Sequence, residues 1–345
     1  MNKYLIEDFE KILNLIKIND LKKKNILITG PTSFISNYII NFFIFLNESY
    51  NFGINLNLMS HDIRKAKEKI KFSKKKYISL LQWKKNKKIN LDGISYIFHI
   101  ASPASPSDFY NKPLSVIEAN IELTQYLLSN IDKSNNLKKF FYFSSTGVYG
   151  HLEDSLRPND ENTFGHLDPL LPESIYLESK RMAETICLQY SKARNIPINI
   201  LRLSICYGPG INLEDSRSYS SFIRSIINKK DIKLFTKGLV YRNFCYILDI
   251  LYGICILINK KEKFNVYNLT SDNEIRIKDL AKLLLHNVFK ERKLKITYVK
   301  SKEKYFRTEF TKTTVSNNKI KKLGWKELTS LQDGFKRTVE FYENS

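Results

Sequence analysis

At 345 residues with 43% hydrophobic content, the chain can bury a full α/β core and still leave residues for a smaller second lobe. No run reaches the eighteen or so apolar residues of a spanning helix, and the start Met1-Asn2-Lys3 reads as a cytoplasmic protein without a cleaved signal. A formal charge of +21 raises nucleic acid as a partner, but the lysines are dispersed in runs such as Lys74-Lys75-Lys76 and Lys260-Lys261, which argues for a compositional bias instead.

In chain order, Leu5, Ile6, Phe9, Ile12, Leu13 and Ile16 have helical spacing and predict an amphipathic helix over 5–18. A short buried strand, Asn25–Thr29, a turn at Gly30-Pro31-Thr32-Ser33 and an apolar helix from Phe34 to Leu46 follow. A strand at Ile54–Met59 and a basic helix from Ile63 to about Phe72 complete a βαβ-type start. Alternation continues with a strand at Tyr96–Ile100, a helix over 113–129, a strand at Phe140–Ser144, a helix over 175–193 and a strand at Ile198–Leu203. Beyond Gly208-Pro209-Gly210 the pattern loosens into a helix over 218–229, a strand at Ile232–Phe235 and further short elements.

Strands alternating with helices imply an α/β fold, a Rossmann-type doubly wound parallel sheet with a smaller C-terminal substrate-binding lobe. The expected division is a helical extension over 1–24, a dinucleotide-binding domain over 25–205 and a substrate lobe over 206–345, with segments exchanged between the last two. Cys187, Cys206, Cys245 and Cys255 lack paired CxxC spacing, so they read as reduced core thiols and no metal site is expected.

In such a sheet, ligands bind at the carboxyl ends of the strands. After the first strand, the segment from Thr29 through Gly30, Ser33, Phe34 and Ile35 to Ser36 has the length of a turn that receives a pyrophosphate on backbone amides and a helix N-terminus. Only Gly30 remains of three expected glycines, with Ser33 and Ser36 in the other places. Asp62 would suit a ribose diol and Arg64 a 2'-phosphate, so the residues leave NAD and NADP both open. Ala101 and Ser102 open a small-residue loop against which a cofactor or sugar can lie. Ser145 and Thr146 bring hydroxyls to the mouth of the sheet. Tyr176 and Lys180, at i and i+4, share one helix face, so the ammonium can lower the phenol's pKa and reach a ribose hydroxyl.

These segments resemble the extended short-chain dehydrogenase/reductase family, and within it the NAD-dependent epimerase/dehydratase group acting on nucleotide sugars. The similar stretches are Thr29 to Ile35, Phe98 to Pro106, Ser144 to Gly150, Tyr176 to Glu184, Arg202 to Gly210 and Arg242 to Asp249, in the family's order. The resemblance implies that Tyr176 is the general acid/base, that Lys180 tunes it and holds the nicotinamide ribose, and that Ser145 hydrogen-bonds the reacting oxygen. It assigns Arg242 to the substrate's diphosphate, implies NAD as cofactor and a nucleotide sugar as substrate, and suggests a homodimer packed through the helices at 113–129 and 175–193. Asn120 matches a family helix asparagine and is equally well an ordinary helix-face residue. His99 reads as a satisfied core histidine rather than a catalyst.

Three positions depart from the family pattern. Gly147 stands where many decarboxylases and 4,6-dehydratases have Glu, Ile205 replaces a substrate-binding Asn, and Leu123 replaces a small Gly. The stretch His99 to Pro106 is nonetheless similar to nucleotide-glucuronate decarboxylases. The expectation is an epimerase-type enzyme of surface-polysaccharide or deoxysugar synthesis. A ketoreductase, a decarboxylase or dehydratase, and a non-catalytic RNA-binding member of the fold are the alternatives.

Overall fold

The computed structural model describes residues 1–70, 74–85, 87–132, 136–152, 158–272, 274–300 and 314–344. Helix α1 (Lys3–Leu15) starts where the Asn2 side chain accepts the Tyr4 amide at 3.0 Å, an N-cap that satisfies one of the free amides of the first turn. It stops short of the expected residue 18 because the backbone turns extended at Ile16, and Ile18 is buried separately.

Strand β1 (Asn25–Thr29), α2 (Phe34–Tyr50), β2 (Asn55–Ser60) and α3 (Ile63–Lys69) build the anticipated βαβ start. The expected helix end near Phe72 lies outside the described residues. Strand β3 (Ile78–Gln82) has no counterpart in the sequence reading, for it is an edge strand whose one fully buried residue is Ile78. After β4 (Ile94–His99) come α4 (Pro106–Asn111) and α5 (Pro113–Ile117). The helix expected to run on to 129 contains a π-helical turn at Glu118–Glu122 before α6 (Leu123–Ser129). Strand β5 (Lys139–Ser145), α7 (Ser174–Arg194) and β6 (Ile198–Leu203) follow close to their predicted bounds.

The remainder comprises β7 (Ile205–Tyr207), α8 (Ser218–Ile227), β8 (Ile232–Leu234), β9 (Tyr241–Tyr246), α9 (Ile247–Ile258), β10 (Phe264–Leu269), β11 (Glu274–Arg276), α10 (Ile277–Leu283), β12 (Ile296–Tyr298), α11 (Asn318–Lys321) and α12 (Leu331–Glu343). Seven strands form the main sheet in the order β10-β6-β5-β4-β1-β2-β3, with every neighbouring pair parallel. Its centre is apolar on both faces, as a parallel sheet covered by helices requires. On one face α1, α2 and α9 pack through Phe9, Phe42, Phe43 and Ile254; on the other, α6 and α7 pack through Leu123, Leu127, Ala183 and Cys187.

Strand β10 follows β7, β8 and β9, which lie in smaller sheets, and yet completes the main sheet. Beside it stand a three-stranded sheet, β11-β9-β7, and a two-stranded sheet, β12-β8. Chain order reverses direction between β1 and β4, which opens a crevice at their carboxyl ends. All four cysteines are buried and unpaired. Among the described residues, no helix is long and apolar enough to cross a membrane, and no cluster of His, Cys, Asp or Glu is arranged to hold a metal ion.

Candidate active site

Gly30 leaves β1 at a φ of 63°, in the left-handed region that favours glycine, and a Cβ there would lie 2.8 Å from the Ala101 Cα. The turn after β1 and the loop after β4 therefore form one wall of the crevice. Ser33 takes its glycine's place without strain, at a φ of −79°, and caps α2: its Oγ accepts the Ser36 amide at 3.4 Å and donates to Ser36 Oγ at 3.0 Å. Ser36 Oγ in turn donates to the Thr29 carbonyl at 3.2 Å. Both serines thus serve the turn, and the N-terminus of the 17-residue α2, flanked by half-buried Phe34 and Ile35, remains suited to a pyrophosphate.

At the end of β2, Asp62 and Arg64 are exposed. Asp62 caps α3 by accepting the Lys65 amide at 3.0 Å, and Ser60 Oγ donates to the Asp62 carbonyl at 3.0 Å.

Thr29 also anchors the floor. Its Oγ1 accepts the Ile100 and Ala101 amides, each at 3.0 Å, which fills both lone pairs and directs its proton to His99 Nδ1 at 2.9 Å. His99 must then donate from Nε2 to Thr124 Oγ1 at 2.8 Å, and Thr124 donates to the Asn120 carbonyl at 2.6 Å. Burial holds the His99 pKa down at about 3, with the nearby Lys180 acting in the same direction, so the ring is a neutral core bridge. Asn120 lies in the π-helical turn, fully buried, and donates to Ser179 Oγ at 2.9 Å; Ser179 donates to the Tyr176 carbonyl at 2.9 Å.

Tyr176 and Lys180 face the carboxyl end of β5 from α7. Lys180 Nζ donates to the Phe143 carbonyl at 2.6 Å and lies 4.9 Å from the Tyr142 ring centre and 5.9 Å from that of Tyr176. Burial lowers its pKa to about 7, opposed by Glu184. Ser145 acts on the Tyr176 phenol to lower its pKa, and its Oγ accepts the Gly147 amide at 3.1 Å. The Tyr176 ring stacks on Phe109 at 4.9 Å.

The expected electrostatics require correction. Burial raises the Tyr176 pKa, and the groups that pull it down are the Ser145 hydrogen bond and the Arg217 guanidinium rather than Lys180. The physical reason is that Lys180 is itself desolvated and directed at a carbonyl, so it lends the phenol little charge. Arg217 comes from the loop before α8 and is held by Asp215 through Nε at 2.9 Å and Nη2 at 2.6 Å.

Ser102 Oγ donates to the Pro103 carbonyl at 3.3 Å, and Thr146 is half-buried beside Ser145. Gly147 carries no Glu, and nothing could project from it without displacement, since a Cβ would meet Leu177 Cδ2 at 2.5 Å. Arg242, on β9 in the second sheet, donates from Nη1 to the Tyr241 carbonyl at 2.6 Å; burial lowers its pKa to about 10, opposed by Glu274.

Sequence reasoning missed Phe109, Arg217 and Glu184. Glu184 accepts from Ser144 Oγ at 2.5 Å and from Arg202 at 2.7 and 3.1 Å, anchoring the strand end that presents Ser145. Its signal was available, since Tyr176, Lys180 and Glu184 recur every four residues on one helix face. Arg217 has no local signal, because it acts on the phenol from a segment some forty residues further along the chain.

A doubly wound parallel sheet with this Tyr, Lys and Ser set at its carboxyl edge defines an extended short-chain dehydrogenase/reductase. More narrowly, the chain belongs to the NAD dependent epimerase/dehydratase family, which matches residues 26–270. It is 25% identical over 342 residues to UDP-glucuronic acid decarboxylase 1 of Xenopus tropicalis, covering 94% of this chain and 73% of that one. To the trifunctional UDP-glucose 4,6-dehydratase/UDP-4-keto-6-deoxy-D-glucose 3,5-epimerase/UDP-4-keto-L-rhamnose-reductase of Arabidopsis thaliana it is 26% identical over 330 residues, covering 92% of this chain and 47% of that longer protein.

Among solved structures, UDP-glucose 4-epimerase of Thermotoga maritima matches with a TM-score of 0.76 at 21% identity, over 93% of this chain and 99% of that one. UDP-glucuronic acid 4-epimerase of Bacillus cereus, in complex with UDP-glucuronic acid and NAD, matches with a TM-score of 0.75 at 22% identity over the same shares. At these identities the structural likeness bears on the fold. The chain is thus a member of an NAD-dependent enzyme family of nucleotide-sugar epimerases, dehydratases and decarboxylases.

Proposed function

We propose that this protein is an epimerase-type enzyme that acts on a nucleotide-activated sugar with NAD retained through the cycle. The observation that carries the reading is the placing of Tyr176 and Lys180 on one face of α7 at the mouth of β5, Lys180 Nζ donating to the Phe143 carbonyl at 2.6 Å and lying 5.9 Å from the Tyr176 ring centre, with Ser145 acting on the phenol. When bound, NAD supplies a hydride acceptor and then donor at a sugar carbon. Tyr176 takes the proton of the sugar hydroxyl and later returns it; Ser145 orients that oxygen; Arg217 favours the phenolate. Lys180 holds the nicotinamide ribose, and Gly30, Ser33, Phe34, Ile35 and Ala101 receive the rest of the dinucleotide. Asp62 and Arg64 flank its adenosine ribose. Ser102, Thr146 and Arg242 bind the substrate, with Arg242 at the diphosphate. The lobe beyond residue 205 supplies most substrate contacts.

Gly147 favours epimerisation over decarboxylation or dehydration, since it offers no carboxylate where the resemblance places Glu. A second reading, decarboxylation of a uronic acid, is favoured by the positive charge of Arg217 acting on Tyr176 and by the named activity of the Xenopus relative. Incubation with UDP-glucose, UDP-glucuronic acid and dTDP-glucose, followed by proton NMR of the sugar and measurement of released carbon dioxide, tests both. An epimer without gas or net NADH supports the first reading; a pentose with carbon dioxide supports the second; net consumption of NADPH would point to a ketoreductase. The homodimer would pack the helices over 113–129 and 174–194, whose outer faces expose Leu114 and Met182, and sedimentation checks it.

A further inference from the structure

Helix α1 precedes the family-matched residues 26–270 and takes no part in the chemistry proposed above. It nevertheless carries a carboxylate into the interior: Asp8 is 3% exposed. Oδ2 of Asp8 accepts the Tyr38 hydroxyl from α2 at 2.9 Å and the Tyr246 hydroxyl from the end of β9 at 3.0 Å. Oδ1 accepts Arg337 Nη2 from α12 at 2.8 Å. One side chain therefore joins three elements that are far apart in sequence.

The surroundings are built to hold it there. Arg337 also donates to the Tyr4 carbonyl at 2.9 Å and to Glu7 at 2.9 Å, and Phe9 packs edge-on against Tyr38 and Phe42 at 5.2 and 5.3 Å. Gly334 lets α12 lie against the strand ends, since a Cβ there would sit 2.4 Å from the Tyr207 hydroxyl and 2.9 Å from the Tyr246 ring. A carboxylate in such a place is costly unless donors surround it. Burial raises the Asp8 pKa, while Arg337 and both phenols act against that shift.

The partners indicate what the arrangement does. Helix α2 is the one whose N-terminus faces the crevice, and β9 carries Arg242 four residues before Tyr246, on the same strand face. Strand β9 is central in its sheet, between β11 and β7, so a constraint at Tyr246 fixes the strand along the roughly 13 Å that separates it from Arg242. We propose that α1 is an interlobe clamp, in which Asp8 is the positioning residue that holds β9, and with it Arg242, in register with α2. This rests on the reading of Arg242 as the diphosphate ligand and of α2 as the dinucleotide helix.

The test uses the full chain and the variants Asp8→Asn and Tyr246→Phe. The latter removes a single hydroxyl and keeps the ring packing, so it decides the matter should Asp8→Asn fail to fold. NADH is titrated first, and UDP is then titrated into the NADH-loaded protein by calorimetry, well below each variant's melting temperature. The clamp predicts NADH affinity within about twofold of wild type and UDP affinity lower by about tenfold, as loss of a hydrogen bond to a charged group allows. UDP binding unchanged in the folded variants would overturn the clamp, as would NADH and UDP affinities falling together in step with melting temperature, which marks a role in stability alone. A wild-type chain that binds neither probe overturns the functional reading and the clamp with it, whereas wild-type binding that survives in both variants overturns the clamp only.

Discussion

The turn after β1 and the Tyr176 and Lys180 pair on α7 lie at the same edge of the sheet, yet they are built on opposite principles. The turn is a backbone site. It depends on Gly30, where a side chain would strike Ala101, and it has lost its other two glycines without strain because Ser33 and Ser36 became part of the capping. The pair is a side-chain site. Its spacing is intact, but the charge that lowers its phenol's pKa comes from Arg217, just before α8. A backbone site tolerates changes of residue type that keep its dihedral angles, whereas a side-chain site is sensitive to groups distant in sequence.

The largest expected effect breaks the side-chain site. Tyr176→Phe keeps the stack on Phe109 and removes the proton acceptor, so turnover should fall by ~10²–10⁴-fold while NADH affinity stays near wild type. Steady-state rates with a calorimetric NADH titration check it, and undiminished turnover would sink the mechanism.

Next comes the backbone site. Gly30→Ala places a Cβ against the Ala101 backbone at positive φ, a strain on the order of 1–3 kcal/mol, so dinucleotide binding should weaken by about ten- to a hundredfold. Equal NADH affinity in Gly30→Ala and wild type would show that the turn does not receive the cofactor.

Arg217→Met sharpens the comparison from the segment before α8. Arg217 lowers the Tyr176 pKa, so its removal should raise that pKa and move the rising limb of the pH–rate profile about one unit towards alkaline pH. Turnover near neutrality should drop by about tenfold and recover as the pH is increased, with NADH affinity unaffected. A drop that is equal at every pH would assign Arg217 to substrate binding instead.

The smallest effect is expected at Ser33. Ser33→Gly removes the cap of α2 and should cost stability by a few tenths of a kcal/mol, with NADH affinity within about twofold. Urea unfolding and calorimetry separate the two, and a large loss of affinity would show that the Ser33 side chain itself touches the cofactor.

The sequence by itself determined the α/β alternation, the parallel sheet, the turn at Gly30 between β1 and α2 and the placing of Tyr176 and Lys180 on one helix face. Each is written in a short stretch: a hydrophobic period, a turn residue, or two side chains one helical turn apart. It did not reveal β3, whose edge position leaves its pattern half exposed, or the return of β10 to the main sheet. The phenol's electrostatics, the Ser144, Glu184 and Arg202 anchor, and the Asp8 contacts with Tyr38, Tyr246 and Arg337 were decided only by the tertiary structure. Hydrogen bonds, charge and desolvation act through space, and a chain that folds back over more than two hundred residues, as from Asp8 to Tyr246, sets those distances only once it has packed.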